Sequence, residues 1–247
     1  PAPNLAGENY FKAMPSFLQD VKELSRERYY WRWDTPGKYQ INMRAYYRMI
    51  TGIDNAIARL LNELKAQGLD QNTIIVYSAD NGYLMGDRGT AGKWNHYEQS
   101  LRIPLVVYDP RLPENQRGRV VTELVNNIDM APTFVDMAGV DVPEIFQGRS
   151  LVPLVRGEAA EDWREDTFCE HMFFRYNNWH GVRGKRYKYA VYYDDAYECL
   201  YDLEKDPTEL VNLAANPEYA AIRKQLARRL DSYLADYPKA PGKPDKK

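Results

Sequence analysis

An amphipathic helix that leads straight into an apolar run is the feature that most narrowly limits the fold of this chain. Apolar residues recur at helical spacing from Met43 to Gln67, and Gly68 is a typical helix stop. The run TIIVYS (73–78) follows after a short turn. A run of this length after a helix is typical of a strand buried on both faces of a parallel sheet. We therefore predict an α/β fold in which helices cover a sheet.

The alternation of helix and strand continues downstream. A glycine-rich loop at 82–92 leads to a second predicted strand, IPLVVY at 103–108. A short strand is predicted near 120–122 and a helix near 129–138. Upstream, a loop-rich lead-in contains one short predicted helix near 17–30. All these elements suit a single α/β layer with covering helices.

The sequence pattern changes near 155–165, a charged stretch that is poor in apolar residues. Beyond it, 186–203 reads as a β-hairpin around an Asp-rich turn, and a last helix is predicted over 217–237. We therefore place the α/β domain over 1–160 and a small antiparallel subdomain with a final helix over 161–247. The lysine-rich tail is expected to be disordered.

Charge and cysteine content narrow the range of partners. The formal net charge of −2 provides no strong field for nucleic acid or an anionic membrane, so we expect neither partner. No apolar run reaches the roughly 20 residues of a membrane span, and the first ten residues do not resemble a signal peptide. A bridge between Cys169 and Cys199 is left open, but two unpaired buried thiols are favoured.

Oxygen-bearing side chains follow the first predicted strand directly. Asp80 and Asn81 stand where ligands collect in open α/β sheets, and their oxygens suit a hard cation such as Ca²⁺ or Mg²⁺. Gly82 allows a sharp turn, and Lys93 can hold an oxyanion as a point charge. Asp-Asn-Gly by itself is more often a plain turn, and two oxygens are fewer than the roughly 6–8 that Ca²⁺ takes. From the residues alone, both readings remain open.

Several ordered motifs accompany this triplet. They are carried by Ser78, Asp80, Asn81, Gly82, Gly92, Lys93, Tyr97, Glu98, Arg102 and Pro104. Their order resembles that of the type I sulfatases in the alkaline-phosphatase-like superfamily, whose pattern is Ser-x-Asp-Asn/His-Gly, Gly-Lys, Tyr-Glu and Arg-x-Pro. The likeness extends from about Tyr46 to Leu213 and includes NNIDMAPTFVDMAG and LYDLEKDPTELVNLA. The resemblance implies part of an alkaline-phosphatase-like sheet with covering helices.

The resemblance also implies a chemistry. In that family a formylglycine, made from the Cys or Ser of Cys/Ser-x-Pro-x-Arg, attacks the sulfur of a sulfate ester while calcium binds the sulfate oxygens. By position, Asp80 and Asn81 would be metal ligands, with Ca²⁺ favoured over Mg²⁺, and Lys93 would be a catalytic, sulfate-binding residue. A sulfated sugar or polysaccharide is the expected substrate, and a periplasmic or secreted location is expected by analogy with the family.

The nucleophile motif does not occur in this sequence. Neither Cys169 nor Cys199 lies in Cys-x-Pro-x-Arg, and no Ser-x-Pro-x-Arg occurs. We therefore expect the formylglycine and the remaining ligands to come from an N-terminal segment of the same protein. This chain alone is expected to be inactive.

Five further residues are assigned provisional roles. His96 is predicted either to contact substrate or to be structural, with equal weight. A sugar contact is considered for His171 and His180, although surface or packing roles are favoured. Glu98 and Arg102 are predicted to form a buried pair that braces the loop.

Two rival functions stay open. A phosphodiesterase or phosphonate hydrolase of the same superfamily usually has His after the Asp, whereas Asn81 stands there in this chain and only three histidines occur in total. A non-catalytic carbohydrate-binding protein would use the many aromatic residues as its binding surface.

Overall fold

The computed structural model describes residues 14–20, 22–158, 162–172, 178–193 and 195–236. The helices are α1 Ser16–Gln19, α2 Leu24–Arg32, α3 Pro36–Ala66, α4 Glu98–Leu101, α5 Met130–Met137, α6 Val152–Arg156 and α7 Ala220–Asp236. The strands are β1 Ile75–Ser78, β2 Leu84–Met85, β3 Ala91–Gly92, β4 Leu105–Tyr108, β5 Asp166–His171, β6 Trp179–Gly184, β7 Tyr187–Tyr192 and β8 Tyr197–Asp202. Within those ranges, no helix is long and apolar enough to cross a bilayer.

The long helix α3 is bounded by sequence signals at both ends. Thr35 caps its start by accepting a hydrogen bond from the Lys38 N–H at 3.3 Å, and Pro36 occupies the first helical position. Gly68, with a left-handed φ of 68°, follows its end. The helix therefore begins about two turns before the predicted 43–67, because the residues there are mostly polar and break the apolar pattern.

The apolar face of α3 is uncovered in the described part of the chain. No residue of α3 is buried there, although the helix is clearly amphipathic. Its exposed large apolar residues are Ile41, Tyr47, Met49, Ile50, Ile53, Leu60 and Leu61. A patch of this extent on a folded protein typically marks an interface.

The first two predicted strands pair with each other. β1 and β4 lie antiparallel, with Ile75 opposite Tyr108 and Ser78 opposite Leu105. Alternate residues of β4 are exposed, and Val106 is 58% accessible. The prediction of a parallel strand buried on both faces is therefore wrong for these pairings, because an apolar run does not specify its partner.

The strand predicted near 120–122 is also absent from the structure. Residues 120–122 form no strand, and Val120 is 87% exposed. The short apolar pair there lies against no described neighbouring strand, so its β propensity has no ladder to join. The helix predicted near 129–138 is confirmed as α5.

The C-terminal region is a four-stranded antiparallel sheet in the order β5-β6-β7-β8, hereafter the four-stranded sheet. The predicted hairpin over 186–203 is confirmed as β7 and β8, and the last helix as α7 after a short 3₁₀ turn. Cys169 and Cys199 are both free thiols, as favoured. The predicted domain boundary falls at 159–161, outside the described ranges, as does the tail, and both stay predictions.

The two faces of the four-stranded sheet pack against different neighbours. One face places Trp179, Tyr192 and Tyr201 against Tyr97, in the segment just after Lys93. The other face packs its core, with Val182 and Leu200, against Leu230 of α7. The sheet is therefore covered on one side by the candidate site loop.

A buried aspartate joins the helix α5 region to the start of the four-stranded sheet. Asp129 is fully buried and accepts two hydrogen bonds from the Arg164 guanidinium at 2.6 and 2.7 Å. It also accepts one from the Arg149 N–H at 2.9 Å. Gly148 permits this approach, because a Cβ there would lie 2.1 Å from the Ile128 carbonyl oxygen.

Gly148→Ala is expected to lower the free energy of unfolding by about 1–3 kcal/mol, since backbone atoms must move to accept the methyl group. Gly52→Ala is the matched control, because Gly52 lies in the exposed middle of α3 with no atom within 4 Å of an added Cβ. It should raise stability by about 0.5–1 kcal/mol. Urea denaturation measures both, and equal effects of the two variants would contradict this account of Gly148.

Candidate active site

Residues 82–97, which lie between β1 and α4, are called the Lys93 loop. It contains the small hairpin β2–β3. Its glycines Gly86 and Gly92 adopt φ values of 99° and 114°, which only glycine adopts without strain. Arg88 and Trp94 are also left-handed, with φ of 56° and 83°. Such non-glycine residues cost of order 1–3 kcal/mol each and persist only where surrounding contacts hold them.

Gly82 fixes the start of this loop against α4. Its N–H donates to the Ser100 carbonyl at 2.9 Å. A Cβ at Gly82 would lie 2.2 Å from the Gln99 carbonyl oxygen and 2.8 Å from that of Arg102. The predicted sharp turn therefore also requires a close backbone approach that excludes any side chain.

The structure brings together the three site residues that the motif predicted. Lys93 Nζ donates to Asn81 Oδ1 at 2.5 Å and lies 3.8 Å from Asp80 Oδ2. Asn81 Nδ2 in turn donates to the Gly82 carbonyl at 2.7 Å. The Asp80 side chain is 86% exposed and that of Lys93 39%, so their ion pair adds little stability. The arrangement instead leaves a carboxylate and an ammonium accessible at the carboxyl end of β1.

A groove of about 1300 Å³ runs past these residues, between the β1–β4 pair and the four-stranded sheet. Asp80, Asn81 and Lys93 line one side of it. Glu170, His171 and Arg183 line it from β5 and β6. Sequence analysis considered a sugar contact for His171 but gave Glu170 and Arg183 no site role, because only their place in the sheet, which the sequence did not reveal, could have identified them.

The donor set fits part of a hard-cation site. The oxygens of Asp80 and Asn81 are of the type that Ca²⁺ takes, but they are only two of about 6–8. Within the ranges that the structure describes, no group of three or more His, Cys, Asp or Glu side chains is placed to hold a metal. The remaining ligands of such a site must therefore come from elsewhere.

His96 lies away from the groove, in an aromatic enclosure. It is 2% exposed, its ring stacks on Tyr201 at 5.5 Å, and its Nδ1 shares a 2.6 Å hydrogen bond with the Tyr192 hydroxyl. Burial, with Lys188 and Arg88 nearby, holds the pKa of His96 well below its ordinary value. A neutral, enclosed imidazole favours the structural interpretation, and a substrate contact by His96 stays a prediction.

His180 is also held by neighbours. Its Nδ1 shares a 2.7 Å hydrogen bond with the Tyr193 hydroxyl, and its Nε2 lies 3.2 Å from Glu170. Burial lowers the pKa of His180, although Glu170 opposes the shift. Among the described residues that line the groove, His171 is present and His180 is not. A sugar contact by His180 therefore stays a prediction.

The predicted pair of Glu98 and Arg102 does not form. Glu98 Oε2 lies 3.0 Å from Arg183 and its Oε1 3.2 Å from Lys188, whereas Arg102 is exposed. The prediction is wrong because Glu98, at the first turn of α4, meets the four-stranded sheet, which lies far away in sequence. Burial raises the pKa of Glu98, but Lys188 and Arg183 outweigh that effect and lower it overall.

Two family models match the chain. Residues 9–140 match the model described as Sulfatase, and residues 86–236 match the model described as N-sulphoglucosamine sulphohydrolase, C-terminal. This chain belongs to the sulfatase family. The resemblance drawn from the ordered motifs is thereby confirmed, as is the α/β fold with C-terminal antiparallel strands and a final helix.

Individual relatives and solved structures support the membership of this chain in the sulfatase family. The N-acetylglucosamine-6-O-sulfatase of Bacteroides thetaiotaomicron is 35% identical over 246 residues, covering 92% of this chain and 43% of that protein. A solved complex with the substrate D-glucosamine-2-N,6-O-disulfate has a TM-score of 0.79 and 30% identity, covering 96% of this chain and 51% of that one. The phosphonate monoester hydrolase of Agrobacterium radiobacter has a TM-score of 0.83 and 28% identity, with 95% and 51% covered. The chain thus spans about half the length of the relatives it matches.

The enclosed, neutral His96 makes the stability of the fold depend on pH. The unfolded chain binds a proton at this residue near pH 6.5, whereas the folded state resists it. Its contribution is therefore complete above pH 6.5 and is lost as pH falls toward the lowered pKa. A histidine whose pKa is lowered by folding removes up to about 1.4 kcal/mol of unfolding free energy for each unit by which the pH falls in this range.

Urea denaturation between pH 7 and 5.5 should show this slope, and His96→Gln should reduce it. His180→Gln is the control, since the pKa of His180 is lowered less. An identical pH dependence in wild type and His96→Gln would contradict the assignment.

Proposed function

We propose that this chain forms the sulfate-binding half of a sulfatase active site, and that the complete protein hydrolyses sulfate esters. "Complete protein" here means this chain together with an N-terminal segment that carries the nucleophile. The observation that supports the proposal most strongly is the meeting of Lys93 Nζ with Asn81 Oδ1 and Asp80 Oδ2, at 2.5 and 3.8 Å, beside a large groove. An ammonium and two oxygen ligands side by side suit the anionic sulfate group of an ester together with a bound cation.

Each of these residues has a distinct role in the proposal. Asp80 and Asn81 would hold Ca²⁺, with Mg²⁺ less favoured because it takes fewer protein ligands. When bound, the cation would act as a Lewis acid on the sulfate oxygens. Lys93 binds a sulfate oxygen and stabilises the negative charge that grows on oxygen as the S–O bond breaks. The N-terminal segment supplies the formylglycine and the other metal ligands.

The substrate is proposed to be a sulfated sugar or polysaccharide. Two relatives named above support this, one by its N-acetylglucosamine-6-O-sulfatase name and the other by its bound glucosamine disulfate. The groove beside Lys93 also has room for a sugar, and Trp94 and Trp179 lie on its wall. A periplasmic or secreted location is proposed from family membership alone.

A phosphonate monoester hydrolase is the second candidate, because a structure with that name superimposes as well as the sulfatases do. The residues at the site favour the sulfatase. Asn81 supplies an oxygen ligand at the position where the phosphoryl enzymes usually have a histidine nitrogen. A single hard cation therefore suits this site better than a pair of transition metals.

The purified 247-residue chain is expected not to hydrolyse p-nitrophenyl sulfate, even with calcium present. The reason is that the nucleophile motif is absent from its sequence. Release of p-nitrophenolate, followed by absorbance, measures this. Turnover by the purified chain would show that a residue within it serves as nucleophile, and would overturn the proposed division of roles.

In the complete protein, Lys93→Ala is expected to lower kcat/KM for p-nitrophenyl sulfate by about 10²–10³-fold, the usual loss for one donor to developing charge. Lys65→Ala is the matched control, because Lys65 is an exposed lysine in the last turn of α3. It should leave the rate unchanged. Faster hydrolysis of a phosphonate monoester than of the sulfate ester by the same preparation would favour the second candidate.

A further inference from the structure

The backbone around Lys93 is held by charged side chains that the proposed chemistry does not use. Lys93 lies midway between Arg88 and Glu98, which are 0% and 8% exposed. Both meet partners from the C-terminal part of the chain. Because Arg88 and Trp94 occupy left-handed backbone regions, this segment needs such contacts to keep its shape.

Arg88 is held by both terminal nitrogens of its guanidinium and by an aromatic ring. Its plane lies over the Tyr97 ring, 3.9 Å from the ring centroid. Its Nη1 donates to Gln99 Oε1 at 3.1 Å, and its Nη2 donates to the Thr208 carbonyl and lies 3.8 Å from Glu209. Arg88 therefore joins the middle of the Lys93 loop to the segment that follows β8.

Glu209 and Lys188 complete the network. Glu209 is 1% exposed and left-handed, and its carboxylate accepts a hydrogen bond from the Glu98 N–H at 2.8 Å. It also forms an ion pair with Lys188, whose Nζ lies 3.2 Å from Glu98 Oε1. Arg183 binds the other oxygen of Glu98. Two carboxylates thus pair with three cations in a largely buried network, where a charge left without its partner would be costly.

A third contact acts next to Lys93 itself. Trp179 Nε1, on β6, donates to the Trp94 carbonyl at 2.7 Å. The four-stranded sheet and the segment after it therefore hold the Lys93 loop at Arg88 near its middle, at Trp94 near its end, and at Glu98 just beyond it.

We propose that Lys188 and Glu209 are positioning residues for Lys93. By clamping the loop through Arg88 and Glu98, they fix the place of the Lys93 ammonium relative to Asp80 and Asn81. The inference rests on the proposed role of Lys93 in sulfate binding. It means that the four-stranded sheet and the segment after it help to place the sulfate-binding lysine, although neither positioning residue touches the substrate.

Hydrogen–deuterium exchange of the 247-residue chain tests the clamp without requiring activity. Glu209→Gln keeps the shape and the acceptor for Glu98 N–H but removes the charge, and Lys188→Met removes the ammonium. Each should speed exchange in 86–97 by at least about tenfold. Asp202→Asn is the control, because Asp202 is a buried partner of Arg186 on the same sheet and has no described contact with the loop.

The double variant separates positioning from general stability. Lys188→Met with Glu209→Gln removes one charge of each sign, so the midpoint of thermal unfolding should return toward wild type while exchange in 86–97 stays fast. Equal acceleration in the loop and in β5–β8, or none in the loop, would overturn the proposal.

The complete protein supplies a second readout. Lys188→Met should lower kcat/KM for the sulfate ester when Lys93 is present, and should cost little more in a Lys93→Ala background, because it acts through Lys93. Full additivity would contradict the positioning role. If the wild-type complete protein has no sulfatase activity, the proposed function fails, while the exchange measurement still decides whether the clamp exists.

Discussion

The hydrogen bond from Lys93 Nζ to Asn81 Oδ1 joins two points of the chain twelve residues apart, and the candidate site depends on it. It forms only because the intervening backbone folds back on itself through left-handed turns and the small β2–β3 hairpin. Gly82 permits the first turn by lying against the backbone of Gln99. The site is thus a property of backbone geometry, which places one ammonium beside two oxygen ligands.

That geometry is maintained by buried charges as well as by apolar packing. Arg88 and Glu209 are both enclosed, and each meets an opposite charge or a carbonyl in the other part of the chain. His96 is buried beside them in neutral form, which avoids adding a further positive charge. The apolar face of α3 is the contrasting case, because it is uncovered in the described ranges. It offers a surface of the right character for the N-terminal segment that we propose.

Local sequence signals predicted the structural features that depend on residues close together in the chain. Gly68 marked the end of α3, and the hairpin of β7 and β8 followed from its alternating pattern and turn. Asp80, Asn81 and Lys93 were found because family motifs fix their order. Long-range pairing was not predictable. The antiparallel partner of β1, the strands β5 and β6, and the partners of Glu98 all involve residues far apart in sequence, where no local pattern carries information.

The central claim is that Asp80, Asn81 and Lys93 form one half of a metal-assisted sulfate site. A crystal structure of the complete protein with calcium and a slowly cleaved sulfate ester tests it most directly. Calcium should lie about 2.3–2.6 Å from a carboxylate oxygen of Asp80 and from the side-chain Oδ1 of Asn81. A sulfate oxygen should lie within hydrogen-bonding distance of Lys93 Nζ, about 2.7–3.2 Å. Calcium or sulfate bound elsewhere, with these three side chains uninvolved, would contradict the claim.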